Sequence, residues 1–186
     1  MRVIAGAAKG CKLATPAGQR TRPTPERVRE ALFSMLLSLG PLGRGLDAFA
    51  GSGAIGIEAL SRGASEVTFV EPARAALQAL RHNLGKLPAS LSARARVRPQ
   101  PLAAVLGQPV QAQAFDWAFV DPPFSAGAYV ATLAALADDA WTHADTTLVV
   151  EHDSRTSPPA HGGWQLDRSR RFGTVTLSWY RRLVPG

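Results

Sequence analysis

Asp47-Ala48-Phe49-Ala50-Gly51-Ser52-Gly53-Ala54-Ile55-Gly56 is the stretch on which the reading of this chain turns. The apolar run Leu46-Asp47-Ala48-Phe49 leads into three glycines, Gly51, Gly53 and Gly56, at the G-x-G-x-x-G spacing, and an Ala/Leu-rich helical pattern follows at once. In that strand-to-helix setting glycines permit a tight turn and let a ligand approach backbone N–H groups at the positive end of a helix. Phe49, Ala50 and Ser52 share the loop and are candidate ligand-lining residues. Glu71 closes the next apolar run, 20 residues after Gly51, with Pro72 behind it. A carboxylate there accepts hydrogen bonds from ribose hydroxyls.

Two ligand classes share this geometry, nicotinamide dinucleotides and S-adenosylmethionine, and Asp47 separates them. An acid just before the loop repels a pyrophosphate but suits the cationic amino group of a methionine moiety, so a methyl donor is favoured. Asp47 also has the chemistry to cap the loop through backbone hydrogen bonds, and the two roles are compatible.

Outward from the loop, Val67–Val70, Ala95–Arg98, Trp117–Val120 and Thr147–Val150 read as further short strands. Helical spacing of Ala and Leu falls between them at residues 53–62, 73–84, 101–107 and 126–137. Alternation of this kind predicts an α/β fold, a parallel sheet covered by helices on both faces with right-handed crossovers. Beyond a Pro/Gly-rich stretch at 157–163, Trp164-Gln165-Leu166 and Thr174–Tyr180 read as two strands separated by Arg168–Gly173, an antiparallel hairpin at the sheet edge that brings the total to seven. At the other end, Val3-Ile4 and Lys12-Leu13 flank a glycine-containing turn, and a helix is expected from Pro25 to Leu39 with Thr24 as its N-cap. Val28, Leu32, Met35, Leu36 and Leu39 form its apolar face. Residues 1–40 are therefore read as an N-terminal basic extension and 41–186 as the ligand-binding domain.

Composition narrows the function. The chain has 186 residues, a 46% hydrophobic share and a net charge of +7. Its longest uncharged run, Pro99–Phe115, holds four Gln and three Pro, so no membrane span is expected. Met1–Gly6 lacks the long apolar core of a secretory signal, which points to a cytoplasmic protein. A single cysteine, Cys11, excludes an internal disulfide, and His82, His143, His152 and His161 lack ligand spacing, so no metal is expected. Residues 1–45 carry 8 basic and 2 acidic side chains, residues 46–154 carry 7 and 11, and residues 155–186 carry 6 and 1. Basic ends around an acidic middle suit a polyanion held at the periphery while another ligand binds centrally.

The second chemical motif is Asp121-Pro122-Pro123-Phe124, at the end of the fourth strand and on the same carboxyl edge as the glycine loop. An exocyclic base nitrogen is a poor nucleophile because its lone pair is delocalised into the ring. Asp121 and the Pro122 carbonyl can accept hydrogen bonds from that amine and hold it in line, Pro123 adds rigidity, and Phe124 can stack on a base turned out of its helix.

Together, Asp47–Gly56 with its continuation Ile57–Ala64, the Asp121–Phe124 motif, Arg2-Val3-Ile4-Ala5-Gly6, Arg22-Pro23-Thr24 and Arg27–Phe33 resemble the bacterial RsmD-type 16S ribosomal RNA guanine-N2 methyltransferase family. The resemblance covers most of the chain. It implies a Rossmann-like class I methyltransferase fold, S-adenosylmethionine as donor and a guanine amine of small-subunit RNA as acceptor, in an assembly particle and with the enzyme a monomer. It further implies donor binding by Asp47, Gly51, Gly53 and Glu71, an acceptor site at Asp121–Phe124, and RNA held by the N-terminal extension, where Arg2, Lys9, Lys12, Arg22, Arg27 and Arg29 are the candidate cations. The chain departs from the family pattern after the third strand, at Arg98-Pro99-Gln100-Pro101-Leu102. Adenine is there expected to rest on backbone groups and Leu102, with Gln100 as a side-chain partner. The rival readings are an adenine-N6 DNA methyltransferase, a protein-glutamine methyltransferase, a non-catalytic RNA-binding assembly factor and, last, an NAD-dependent dehydrogenase.

Overall fold

The computed structural model describes residues 1–16, 24–108, 114–122 and 126–183. Thirteen named elements follow in chain order: α1 (Glu26–Ser38), β1 (Arg44–Asp47), α2 (Ala54–Ser61), β2 (Glu66–Val70), α3 (Arg74–Leu84), α4 (Ala89–Ser92), β3 (Ala95–Arg98), α5 (Leu102–Leu106), β4 (Phe115–Val120), α6 (Ala126–Leu136), β5 (Thr142–Asp153), β6 (Trp164–Phe172) and β7 (Val175–Arg182). The strands build one seven-stranded sheet in the order β3-β2-β1-β4-β5-β7-β6. β1 to β5 pair in parallel, and β7 runs antiparallel to both β5 and β6. The order reverses beside β1, and ligands of open α/β sheets bind at such a switch point, outside the carboxyl ends of the strands.

Period-two alternation sends side chains from each strand into two cores. From β4, Trp117 and Phe119 join one cluster with α1, α2 and α3, while Ala118 and Val120 join the other, with α5 and α6. Val3, Ala8 and Leu13 lie in the first cluster beside Val28, Leu32, Phe33 and Leu36 of α1, so the described parts of the N-terminal 40 residues pack into the same core as α2 and α3.

Several boundaries differ from expectation. Arg168–Phe172 is not a connecting loop: β6 runs on to Phe172, and only Gly173 and Thr174 turn the hairpin. Pro25, not Thr24, occupies the N-cap of α1, and no side chain caps that helix; the Thr24 hydroxyl is used elsewhere. Leu39 lies beyond the helix end and is 57% exposed. Ala48 and Phe49 fall after β1, α4 is an unanticipated single turn, and β5 starts earlier than its apolar run, at Thr142.

Candidate active site

The glycine loop is tied to both neighbouring strands. Ala48 N–H donates to the Phe119 carbonyl (3.0 Å) and Ala50 N–H to the Val70 carbonyl (2.9 Å). The three glycines divide the work. Gly53 has φ +83°, and a Cβ there would lie 2.4 Å from Leu80 Cδ1; a Cβ on Gly56 would lie 2.2 Å from the Phe69 ring. Both are therefore needed for helix-to-sheet packing. Gly51, with φ +54°, faces open space where a Cβ would point, so it is the glycine left for a ligand to approach. Glu71 holds the loop from the side: Oε2 accepts Gly51 N–H (2.8 Å) and Oε1 accepts Ala73 N–H (2.7 Å). Ala50 and Ser52 are buried, Phe49 is half-buried and Pro72 is exposed.

Asp47 stands beneath this loop, buried, with Oδ2 accepting Gly56 N–H at 2.9 Å. Burial pushes its carboxyl up to about 7, Asp121 and Glu71 add to the rise, and the Gly56 hydrogen bond opposes it. A carboxyl held so high is a place where a cation is favoured, which fits the ammonium of a methionine moiety and not a pyrophosphate. Leu102 is buried at the start of α5, among Val70 and Val105. Gln100 is exposed, and its Oε1 accepts from Gln108 Nε2 (3.0 Å).

At the end of β4, Asp121 is half-buried and Pro122 buried, on the edge that carries Asp47 and Glu71. Pro123 and Phe124 lie outside the described residues, as does Arg22. The sequence reading missed Glu151. Val120 and Val150 are partners in the β4–β5 ladder, so Asp121 and Glu151 follow on adjacent strands. Glu151 is buried; its Oε2 accepts the Thr24 hydroxyl (3.0 Å), and its carbonyl accepts Tyr129 OH (3.1 Å). Burial raises the pKa of both carboxyls, Asp121 raises Glu151 further, and the Thr24 hydrogen bond opposes that rise. A signal was present: β1 ends on Asp47, Glu71 and Asp121 directly follow β2 and β4, and Glu151 directly follows the apolar run Thr147–Val150 within β5.

The N-terminal cations divide. Lys9, Lys12 and Arg27 are exposed, and Arg2 is exposed with an ion pair to Glu26 (3.4 Å). Arg29 is not available to RNA: it is fully buried, Nη1 lies 3.5 Å from Glu58 Oε2, and Nη2 donates to the Arg2 carbonyl (2.9 Å). Glu58, on α2, also accepts Ile4 N–H (2.8 Å), Ala5 N–H (3.0 Å) and Arg62 Nε (2.8 Å), while Ser61 Oγ accepts Ala8 N–H (2.9 Å). Asn83 of α3 exchanges two hydrogen bonds with Ala14, and its Nδ2 donates again to the Ser52 carbonyl (2.9 Å). The opening residues Ile4 and Ala5 thus dock on α2, and Ala14 is linked through Asn83 to the glycine loop. Among the described residues no cluster of His, Cys, Asp or Glu is arranged to hold a metal, and no helix is long and apolar enough to cross a membrane.

Comparison with known proteins identifies the family and the fold. Residues 1–181 match the family model described as Conserved hypothetical protein 95. The chain is 36% identical to ribosomal RNA small subunit methyltransferase D of Escherichia coli (strain K12), covering 100% of this chain and 92% of that protein. It is 35% identical to the putative rRNA methyltransferase YlbH of Bacillus subtilis (strain 168), covering 98% and 99%. The solved structure of the putative methyltransferase yhhF from Escherichia coli superposes with a TM-score of 0.85 at 36% identity, over 100% of this chain and 99% of that one. An RNA methyltransferase from Salinibacter ruber, solved in complex with S-adenosyl-L-homocysteine, shares the fold at 16% identity and a TM-score of 0.67, over 88% and 97% of the two chains.

Proposed function

The chain belongs to the RsmD family of ribosomal RNA small subunit methyltransferases, and from that premise we propose that it transfers a methyl group from S-adenosylmethionine to the exocyclic N2 of a guanine in 16S ribosomal RNA. The supporting observation is the convergence of Asp47, Gly51 and Glu71 with Asp121 and Pro122 on one edge of the sheet, beside the switch in strand order.

Bound S-adenosylmethionine supplies an electrophilic methyl group on a sulfonium. Asp47 pairs with its amino group, Glu71 accepts from the ribose hydroxyls, and Phe49, Ala50, Gly51, Ser52, Gly53, Pro72 and Leu102 line the remainder. Asp121 and the Pro122 carbonyl accept the hydrogens of the guanine N2, which orients the amine and biases its lone pair toward the methyl carbon. Transfer would form the N–C bond as the sulfonium S–CH3 bond breaks and its electron pair returns to sulfur, leaving S-adenosylhomocysteine, and Asp121, whose pKa burial raises, would be placed to take the proton that N2 sheds. Pro123 stiffens the turn and Phe124 stacks on the base. Arg2, Lys9, Lys12, Arg22 and Arg27 hold phosphates, whereas Arg29 serves the fold. The substrate is a small-subunit assembly particle, and the enzyme acts on it as a cytoplasmic monomer.

The test is transfer of labelled methyl to 16S RNA and to small subunits lacking the modification, followed by nucleoside analysis. Label in N2-methylguanosine is the expected result. Label in N6-methyladenosine moves the acceptor to adenine, and no label on either substrate favours an RNA-binding assembly factor.

A further inference from the structure

A second basic surface lies outside the N-terminal extension. The stretch from Pro72 to Phe115 carries Arg74, Arg81, Lys86, Arg94, Arg96 and Arg98 and no Asp or Glu, so the acidic character of the middle of the chain is confined to its flanks. Arg81 is exposed in the last turn of α3, and Lys86 is exposed just beyond that helix. Lys86 Nζ donates to the Lys12 carbonyl at 3.2 Å, which puts the end of α3 against the N-terminal turn that carries Lys9 and Lys12. Among the described residues, none of Lys9, Lys12, Arg81 and Lys86 forms an ion pair with an acid. At the opposite edge of the sheet the acids are engaged: Asp167 pairs with Arg168 (2.8 Å) and Arg181 (3.1 Å), and Asp139 with Arg182 (3.0 Å). Crowded, uncompensated cations repel one another, and a polyanion that displaces their counterions removes that repulsion.

We propose that Arg81 of α3 and Lys86 just beyond that helix, with Lys9 and Lys12 of the N-terminal turn, form one phosphate-binding face that docks substrate RNA away from the methylated base. The inference rests on the reading of this chain as an RNA methyltransferase. The face is joined to the catalytic edge: Asn83, between Arg81 and Lys86, is fully buried and links Ala14 to the Ser52 carbonyl of the glycine loop. RNA gripped there is held on the same rigid seam that positions the methyl donor. Cations in the last turn of a helix also favour its dipole, but that role predicts lost stability, not lost RNA affinity, and Lys86 stands outside the helix.

The experiment compares the full chain with the double variant Arg81→Gln/Lys86→Gln, using filter binding of unmodified 16S RNA across a salt series. Loss of two phosphate contacts is expected to weaken binding about tenfold at 0.1 M salt and to flatten the slope of log K against log salt by about 1.5. KM for RNA rises while kcat and S-adenosylhomocysteine affinity stay unchanged. Arg168→Gln/Arg181→Gln, whose guanidinium groups pair with Asp167 at the opposite edge of the sheet, removes the same charge as a control and is expected to leave the slope unaltered. An unchanged slope in the α3 variant, or an equal drop in the control, overturns the proposal. Wild-type chain that binds RNA through this face yet transfers no methyl would overturn the methyltransferase reading and leave the surface standing.

Discussion

Donor binding should depend on pH through Asp47. The free carboxyl sits at about 7 because it is buried, and the ligand's ammonium binds its ionised form. Affinity is then reduced by the protonated fraction, by a factor of 1 plus ten to the power of 7 minus pH. That factor is about 11 at pH 6 and about 1.3 at pH 7.5, so S-adenosylhomocysteine should bind roughly eightfold tighter at the higher pH, and close to one proton should leave on binding at pH 6. Stopping at 7.5 keeps most of the ligand's own amine charged. The same shift acts on folding with the opposite sense. A carboxyl raised from 3.8 to about 7 stabilises the unliganded protein fully below pH 4 and loses that contribution as pH rises through 7, up to about 4 kcal/mol. Unliganded protein should therefore melt lower at pH 7.5 than at pH 5, with ligand restoring more at the higher pH. Titration calorimetry in two buffers of different ionisation heat measures both the affinity and the proton count. Asp47→Asn should bind weakly and lose the pH dependence. Equal affinity at pH 6 and 7.5, or an Asn variant that keeps the slope, would refute the assignment.

Three further outcomes follow from the geometry. Glu58→Ala strands a buried guanidinium and two backbone N–H groups, so urea unfolding should show a loss of roughly 4–6 kcal/mol; a loss below about 1 kcal/mol would show that the N-terminal segment is not held by that carboxylate. Gly51→Ala and Gly53→Ala should fail differently: the first blocks the open side of the loop and weakens donor binding at a cost to stability of about 1 kcal/mol, while the second collides with Leu80 and costs at least about 2 kcal/mol, as parallel melting and binding series would reveal. Asp121→Asn should cut kcat by about a hundredfold with S-adenosylhomocysteine affinity intact, measured by single-turnover methyl transfer.

Much of the fold was legible in the sequence, and the candidate site stood out because the proposed chemistry restricts residue type as well as spacing. Gly51 and Glu71 are the restricted residues where backbone is to meet a ligand, Gly53 where it packs against Leu80, and the proposed acceptor site calls for an acid on a stiff turn, as Asp121-Pro122 supplies. Buried strands announce themselves as apolar runs. β6 does not: from Gln165 to Arg171 its residues are exposed, so only pairing with β7 makes it a strand. Charge alone puts Arg29 in solvent, whereas it is fully buried. Its spacing points to burial, since it stands three, four and seven residues before Leu32, Phe33 and Leu36, within the apolar stripe of α1. Glu58 had no such signal, because its importance lies in backbone groups more than fifty residues away.

Those distant partners build the N-terminal segment into the fold beside the glycine loop, so that it is not an appendage. Helix α2 begins at the glycine loop and ends at Glu58 and Ser61, which bind residues 4, 5 and 8. A fully buried carboxylate is tolerable only while its donors stay in place. Detaching the N-terminal turn would thus destabilise the helix whose first turn positions the donor site. The exposed lysines of that turn are free of this constraint, so RNA affinity can be altered at Lys9 and Lys12 without disturbing the fold. A change at Arg29, Glu58 or Asn83 acts on the fold and, through Ser52 and α2, on the donor site as well.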